Sequence, residues 1–229
     1  MKRSAKLLAL AVALFAGFGT STAQAEGFKT GVDLVSSYVW RGTEFGDSPA
    51  IQPSLNYTFS NGVVVGAWGS YGVQKFTSVS NGDYRYQEVD LSLTIPAGPF
   101  SLTAVDYYVP NPSTVKSFDF SKTGPNIIEI DGAYSSGNLS LLAAINVAGP
   151  DTNNAKYFEA GYKFYSKDGY SAKGVAGVGS KYFYGNVGGT EEKLALVNTG
   201  ISVSKDKFTA GYVYNPISEL SNLVFTASF

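Results

Sequence analysis

The sequence predicts an all-β protein, a transmembrane up-and-down antiparallel β-barrel of about twelve strands that follows a cleaved signal peptide. Three observations lead to this fold class: apolar side chains alternate with polar or small ones in twelve runs, short and long connections alternate between the runs, and the apolar faces carry almost no charge. The composition agrees, because only 15% of the 229 residues are charged while Gly, Tyr and Phe are abundant.

The N-terminal segment has the three parts of a secretory signal peptide. Basic residues at the start precede an apolar run over residues 7–18, and a small-residue cleavage site ends at Ala25. The run is well short of the ~20 residues that a membrane-spanning helix needs, so an uncleaved anchor is the weaker alternative. We expect a signal peptide at residues 1–25 and one barrel domain at residues 26–229, which is mildly acidic with 14 basic and 18 acidic residues.

The strands are predicted from alternation with a period of two. It is clearest at residues 51–59, 158–164 and 223–229, where every second side chain is apolar or aromatic. No segment after the leader has a sustained helical period. The twelve expected strands begin near Phe28, Ile51, Val63, Tyr84, Phe100, Asn126, Leu139, Lys156, Ser171, Glu192, Lys207 and Asn222.

The connections between these runs alternate in length. An up-and-down meander places all long loops at one end and all short turns at the other, as in outer-membrane barrels. The expected short turns are residues 60–62, 96–99, 135–138, 166–170 and 205–206. The expected long loops are residues 42–50, 72–83, 110–125, 148–155, 181–191 and 216–221.

The apolar faces favour a lipid environment over water. A water-soluble β-protein has charges on its outside, whereas here the charges lie in connections or on the polar faces of strands. A closed barrel pairs every backbone amide and can therefore span a membrane, although a soluble lipocalin-like or sandwich protein is an alternative. Aromatic residues near the strand ends are expected to form interfacial girdles. They are Tyr38, Trp40, Tyr57, Phe59, Tyr71, Tyr134, Phe164, Tyr212 and Tyr214.

Three short motifs carry a family resemblance. They are Gly31-Val-Asp-Leu-Val-Ser-Ser-Tyr-Val-Trp-Arg-Gly42, Pro49-Ala-Ile-Gln-Pro53 and Gly66-Ala-Trp-Gly-Ser70. With them the chain resembles the TorF-type porins, a family of bacterial outer-membrane proteins. The resemblance is dense from about residue 31 to 71 and returns at the terminal Phe229. It implies an outer-membrane barrel with porin function, and it supplies no catalytic residue.

Charged residues on the polar strand faces are the candidate lumen-lining groups. Same-face carboxylates at Glu88 with Asp90 and at Glu129 with Asp131 would suit a glycoside hydrolase, but in a barrel they also line water. Both pairs are expected at similar depth, where they favour cations. Arg41 ends the first strand and is expected at the pore mouth or at the lipid headgroups. The lumen candidates are Asp33, Glu88, Asp90, Glu129, Asp131, Glu159, Lys163 and Lys173.

Several functions are disfavoured by composition and motif. The chain has no cysteine and no histidine, which removes thiolate nucleophiles, imidazole bases and two common metal ligands, so we expect no enzyme, cofactor or metal. The glycine-rich residues 184–189 lack the Lys-Ser or Lys-Thr of a phosphate loop, and residues 151–154 lack the spacing of a calcium loop. A pI near 5.5 offers no charge excess for nucleic acid.

The expected function is therefore a porin-like channel in the bacterial cell outer membrane. Twelve strands ~4.8 Å apart and tilted ~40° enclose a backbone diameter of about 24 Å, which leaves roughly 10 Å between side chains. Ions and small polar solutes would diffuse through it, and lipid would surround it. The alternative is a closed structural or interaction barrel without transport activity. The transported solute and the oligomeric state are left open.

Overall fold

A computed structural model describes residues 26–78, 82–110, 116–151, 153–185 and 193–229. It confirms the predicted fold, a closed antiparallel barrel of twelve strands. The expected signal peptide at residues 1–25, Thr152 and residues 186–189 of the glycine-rich segment lie outside the described residues.

Sixteen strands are present in the described part of the chain, twelve in the barrel wall and four in two separate hairpins. The wall strands follow the chain order around the barrel, and β1 closes it against β16. The strands are β1 (Gly27–Val35), β2 (Tyr38–Trp40), β3 (Thr43–Phe45), β4 (Ala50–Thr58), β5 (Val64–Gly72), β6 (Phe76–Ser78), β7 (Gly82–Tyr84), β8 (Gln87–Ala97), β9 (Phe100–Tyr108), β10 (Asn126–Ser136), β11 (Leu139–Ala148), β12 (Lys156–Lys167), β13 (Tyr170–Ser180), β14 (Leu194–Lys205), β15 (Phe208–Asn215) and β16 (Leu220–Ser228).

Two hairpins and one helical turn lie in the long connections. β2 pairs with β3 and β6 pairs with β7, while α1 (Lys181–Tyr184) follows β13. Among the described residues, no helix is both long and apolar enough to cross a membrane.

The seam of the barrel is closed at the C-terminus. Val32 and Phe229 exchange backbone hydrogen bonds of 3.0 and 2.9 Å, and β1 pairs on its other side with β4. Backbone amides of the wall are thus paired between strands, and the wall has no open edge for another chain to extend.

The predicted rhythm of strands and connections is confirmed. Each wall strand begins within three residues of its expected start. The short turns require residues that tolerate positive φ: Asp168 and Gly169 have φ values of 54° and 79°, as a two-residue type I′ hairpin turn demands. The short turns lie at one end of the barrel and the long connections at the other, because every wall pair is antiparallel.

The wall is apolar outside and polar inside. On β8, Leu91, Leu93 and Ile95 are 42–49% exposed on the outer face. The alternate residue Thr94 is fully buried and shares a hydrogen bond of 2.9 Å with Thr103 on the next strand. This arrangement is the reverse of a water-soluble β-protein and disfavours the soluble alternative.

The girdle prediction is wrong for Tyr38 and Trp40. The wall strand β1 ends at Val35, the amide of Ser36 still bonds to the Phe225 carbonyl, and the chain then turns into the barrel. Tyr38 is only 8% exposed there, and it packs against wall residues from the inside. The other predicted girdle residues lie on wall strands or directly beside them, namely Tyr57, Phe59, Tyr71, Tyr134, Phe164, Tyr212 and Tyr214.

Candidate functional site

The connection after β1 fills part of the barrel interior. Its hairpin of β2 and β3, Tyr38–Phe45, is called the inner hairpin below. Arg41 and Gly42 form its tip with φ values of 49° and 85°. A Cβ on Gly42 would overlap the backbone carbonyl of Val197, so only glycine lets the tip approach the wall strand β14 this closely.

Aromatic packing holds the base of the inner hairpin against the wall. The Tyr38 ring lies 5.5 Å from Trp68 and 5.9 Å from Tyr86, and Phe45 lies 5.4 Å from Tyr86. Ser37 also donates a hydrogen bond to Glu44 at the base of the hairpin. Burial raises the pKa values of the Tyr38 and Tyr86 hydroxyls well above their usual value, so both stay neutral at physiological pH.

Arg41 makes the central polar contact of the interior. Its guanidinium donates to both oxygens of Glu129, from Nη1 to Oε2 at 2.6 Å and from Nη2 to Oε1 at 2.9 Å. Nη1 also donates to the Tyr184 hydroxyl at 2.9 Å, and Nη2 lies 3.8 Å from Asp131 Oδ1. Tyr107 also donates a hydrogen bond of 2.7 Å to Glu129 Oε1, so this oxygen accepts from both Tyr107 and Arg41.

Aromatic rings surround the same guanidinium. Arg41 Cζ lies 4.4 Å from the centre of Trp40, 4.5 Å from Tyr157 and 5.7 Å from Tyr184, within the range of cation–π attraction. Burial opposes the charged form of Arg41, but Glu129, Tyr184 and Tyr107 together outweigh burial and raise the pKa of Arg41 well above its usual value. Arg41 therefore remains a cation inside the protein.

The helical turn α1 is the second element that reaches inward. Tyr184, its last residue, is 1% exposed and lies against Tyr157 with ring centres 5.1 Å apart. The Tyr184 carbonyl accepts hydrogen bonds from Thr43 at 3.1 Å and from Asn215 at 2.8 Å. α1 thus joins the inner hairpin to the wall strand β15.

The second acidic pair lies on β8 near the same end of the barrel. Glu88 is 6% exposed and accepts a hydrogen bond of 2.9 Å from the Tyr86 hydroxyl. Asp90 Oδ1 is buried and has no hydrogen-bond partner among the described residues. The salt bridges of Arg41 go to the β10 pair and not to this one. In the described part of the chain, no group of three or more acidic side chains could hold a metal ion.

The other charged candidates lie on β1, β12 and β13. Glu159 accepts hydrogen bonds from Tyr157 at 2.6 Å and from Asn198 at 3.2 Å. Lys163 and Lys173 are partners in the register of β12 and β13, and Lys173 is 8% exposed. Asp33 lies opposite Ser228 at the seam. By strand alternation, all eight lumen candidates belong to the inner face of the wall.

The expected position of Arg41 is corrected by the structure. It lies inside the barrel with 3% exposure, not at the pore mouth or the headgroup level. The acidic residues Glu88, Glu129 and Asp131 are likewise 6%, 0% and 7% exposed, so they contact protein groups instead of lining water. The physical reason is the inner hairpin, which occupies the space that the sequence assigned to water.

Sequence reasoning also missed the partners of Arg41. Tyr107, Tyr157 and Tyr184 come from three separate segments, and nothing local marks them as neighbours. One signal was available: the run Tyr38–Trp40 is followed by Arg-Gly and then by Thr43–Phe45, which is a short hairpin pattern with a glycine turn.

Comparisons with known proteins identify a family and find one similar solved structure. The family described as "Bacterial protein of unknown function (Gcw_chp)" matches residues 20–164. A solved structure of porin refined at 1.8 Å resolution is similar with 14% identity, covering 88% of this chain and 100% of that chain, at a TM-score of 0.35. No curated protein matches this chain. The function has to be inferred from the barrel itself.

Proposed function

This chain belongs to the Gcw_chp family of bacterial proteins of unknown function, and we propose that it is a porin-like channel of the bacterial outer membrane for passive diffusion of ions or small polar solutes. The observation that carries the proposal is the closed wall with an apolar outer face and a polar inner face. Assignment to the TorF-type porins is part of the proposal and is supported by the motif at residues 31–42.

The outer face supports a membrane location. Large apolar side chains stay exposed on strands all around the wall, and their burial in lipid is strongly favourable at roughly 25 cal/mol per Å². The signal peptide expected at residues 1–25 supports export to that membrane. In the proposed orientation, the long connections are extracellular and the short turns are periplasmic.

The inner face supports small polar solutes. Toward the short turns it carries small hydroxyl side chains, which make the inner face polar although they are buried and several are hydrogen-bonded within the wall. They are Thr94, Ser101, Thr103, Ser140, Ser202, Ser204, Thr209 and Thr226. The proposed partners are outer-membrane lipid and the diffusing solute, with no nucleic acid, cofactor or catalytic role.

The inner hairpin makes the described conformation a closed one. Arg41, Trp40 and Tyr184 occupy the interior near the long connections, so diffusion requires the inner hairpin to move out. The second candidate function, a barrel without transport, is favoured by the same observation, because Glu129 and Tyr157 have no solvent exposure at all.

Conductance of the reconstituted mature chain separates the two candidates. We would compare the wild type with a variant in which residues 37–47 are replaced by a short Gly-Ser linker. The channel proposal expects discrete conductance steps in the linker variant and rarer steps in the wild type. Migration in cold detergent with and without boiling is the control for a folded barrel. Absence of conductance from a folded linker variant would support the closed barrel.

A further inference from the structure

We propose that the wall around Glu129 is a binding site for organic cations with a guanidinium or similar planar group, and that Arg41 occupies this site as a tethered ligand. The inference rests on the proposed channel function and names the solute class that the interior would select. The site is called the Glu129 cradle and consists of Glu129, Asp131, Tyr107 and Tyr157.

The carboxylate of Glu129 is oriented to accept two hydrogen bonds from one planar group. Glu129 has 0% exposure and receives two parallel hydrogen bonds from one guanidinium, at 2.6 and 2.9 Å. Tyr107 holds the carboxylate from the side at 2.7 Å. This two-point geometry matches a guanidinium and cannot be reproduced by a simple metal cation or by the single nitrogen of a lysine.

A stacking surface completes the cradle. The Tyr157 ring lies 4.5 Å from Arg41 Cζ, and its hydroxyl is fixed by donation to Glu159 at 2.6 Å and by a hydrogen bond of 2.9 Å from Asn198. All of these groups belong to wall strands. The cradle therefore keeps its shape when the inner hairpin leaves, whereas Trp40 and Tyr184 come from the connections.

One acceptor of the cradle is unsatisfied. Asp131 is 7% exposed, and among the residues that the structure describes its Oδ1 has no hydrogen-bond partner, although it lies 3.8 Å from Arg41 Nη2. Arg41 thus bonds to Glu129 and leaves Asp131 beyond hydrogen-bond distance. A free cation is not tethered and can bond to Glu129 and Asp131 together.

The charge of Arg41 couples entry of a cationic solute to opening of the barrel. Removing Arg41 leaves Glu129 and Asp131 buried without their cation, which is strongly unfavourable in a low-dielectric interior. An incoming organic cation restores the balance as the inner hairpin departs. The exchange favours entry of cations of the right shape over entry of other solutes.

The test is rescue of an Arg41→Ala variant by added methylguanidinium. The full mature protein is refolded in detergent, and its thermal unfolding is followed with millimolar methylguanidinium chloride or with sodium chloride at equal ionic strength. We expect the melting temperature of Arg41→Ala to rise by about 3 °C or more with methylguanidinium only. The wild type, whose cradle is filled, should show no such rise.

Two variants define the controls. Arg85→Ala removes another arginine that lies over a tyrosine ring, 4.7 Å from Tyr71, but this half-buried residue lies outside the cradle, and the variant should gain nothing from methylguanidinium. Adding Glu129→Gln to Arg41→Ala should abolish the rescue. If Arg41→Ala does not fold, Arg41→Lys keeps the charge without the planar group and takes its place.

The outcomes separate this inference from the proposed function. Equal melting temperatures of Arg41→Ala in both salts, or an equal rise in the melting temperature of Arg85→Ala, would overturn the cradle even if the channel conducts. Rescue that depends on Glu129 but occurs without conductance in any variant would keep the cradle and reject the channel. Rescue together with a methylguanidinium-dependent block of the sodium current through Arg41→Ala would support both.

Discussion

The guanidinium of Arg41 and the carboxylate of Glu129, 88 residues apart in the chain, form a two-point ion pair at 2.6 and 2.9 Å inside the barrel. The pair joins the tip of the inner hairpin to the wall strand β10. The sequence pattern predicts a water-filled lumen, but this ion pair holds the inner hairpin inside the barrel and the interior is closed. The behaviour of the barrel should therefore depend on how firmly this pair holds.

Arg41→Ala should loosen the inner hairpin and raise the open probability of the channel. Loss of one partner from a buried ion pair costs about 3–5 kcal/mol, because the other charge stays buried without compensation. Single-channel recording in planar bilayers measures the open probability, and urea unfolding measures the stability. Arg85→Ala serves as the matched control, since that half-buried residue lies outside the inner hairpin and has no salt bridge to Glu129 or Asp131.

Gly42→Ala should have a similar effect without changing any charge. The added Cβ overlaps the Val197 carbonyl, and alanine is strained at a φ of 85°, so the tip cannot sit against β14. The control is Gly98→Ala at a φ of 62°, where nothing lies within 4 Å of the new Cβ. We expect more frequent opening in Gly42→Ala and wild-type conductance in Gly98→Ala. Equal currents in the two variants would contradict contact of the tip with the wall.

The strands were predictable because alternation is a local property. On β8 the exposed Leu91, Leu93 and Ile95 alternate with Asp90, Ser92 and Thr94, and any seven-residue window reveals two faces. The turn at Asp168-Gly169 is equally local. Such signals are sufficient for the order and direction of all wall strands.

The interior was not predictable in the same way. Tyr38 and Val39 are both buried although they are adjacent, because each packs in a cluster with residues of the wall. Its polar contact joins residues 41 and 129, and no feature of a single sequence indicates which carboxylate a distant arginine will find. Carboxylates on one strand face predict a water-filled lumen only where no other part of the chain occupies the interior.

The orientation of the barrel can be tested with engineered thiols, since the chain has no cysteine. Ser117→Cys lies in a long connection and Asn61→Cys in a short turn. A large, membrane-impermeant maleimide added to intact cells should label Ser117→Cys only, and it should label Asn61→Cys after the outer membrane is permeabilised. The opposite pattern would reverse the assignment of the two ends.

The open channel should favour cations. Glu88 and Asp90 lie on the inner face without a salt bridge from Arg41, so they form a negative patch once the inner hairpin is displaced and water reaches them. Reversal potentials across a salt gradient, measured in the Arg41→Ala background, should indicate cation preference. Changing Glu88 to Gln and Asp90 to Asn should reduce that preference. Anion preference, or no effect of the two changes, would refute the role of this pair.

Closure by the inner hairpin is tested most directly by tethering it. Val39 of the hairpin lies in one apolar cluster with the wall residues Val213 and Val224, and cysteines are introduced at Val39 and Val213 to join the hairpin to the wall by the one disulfide in the protein. Conductance of the Val39→Cys, Val213→Cys protein is recorded in the Arg41→Ala background, before and after reduction. We predict no conductance while the disulfide holds the hairpin inside and discrete channel openings after reduction. Identical conductance in the two states would contradict the account.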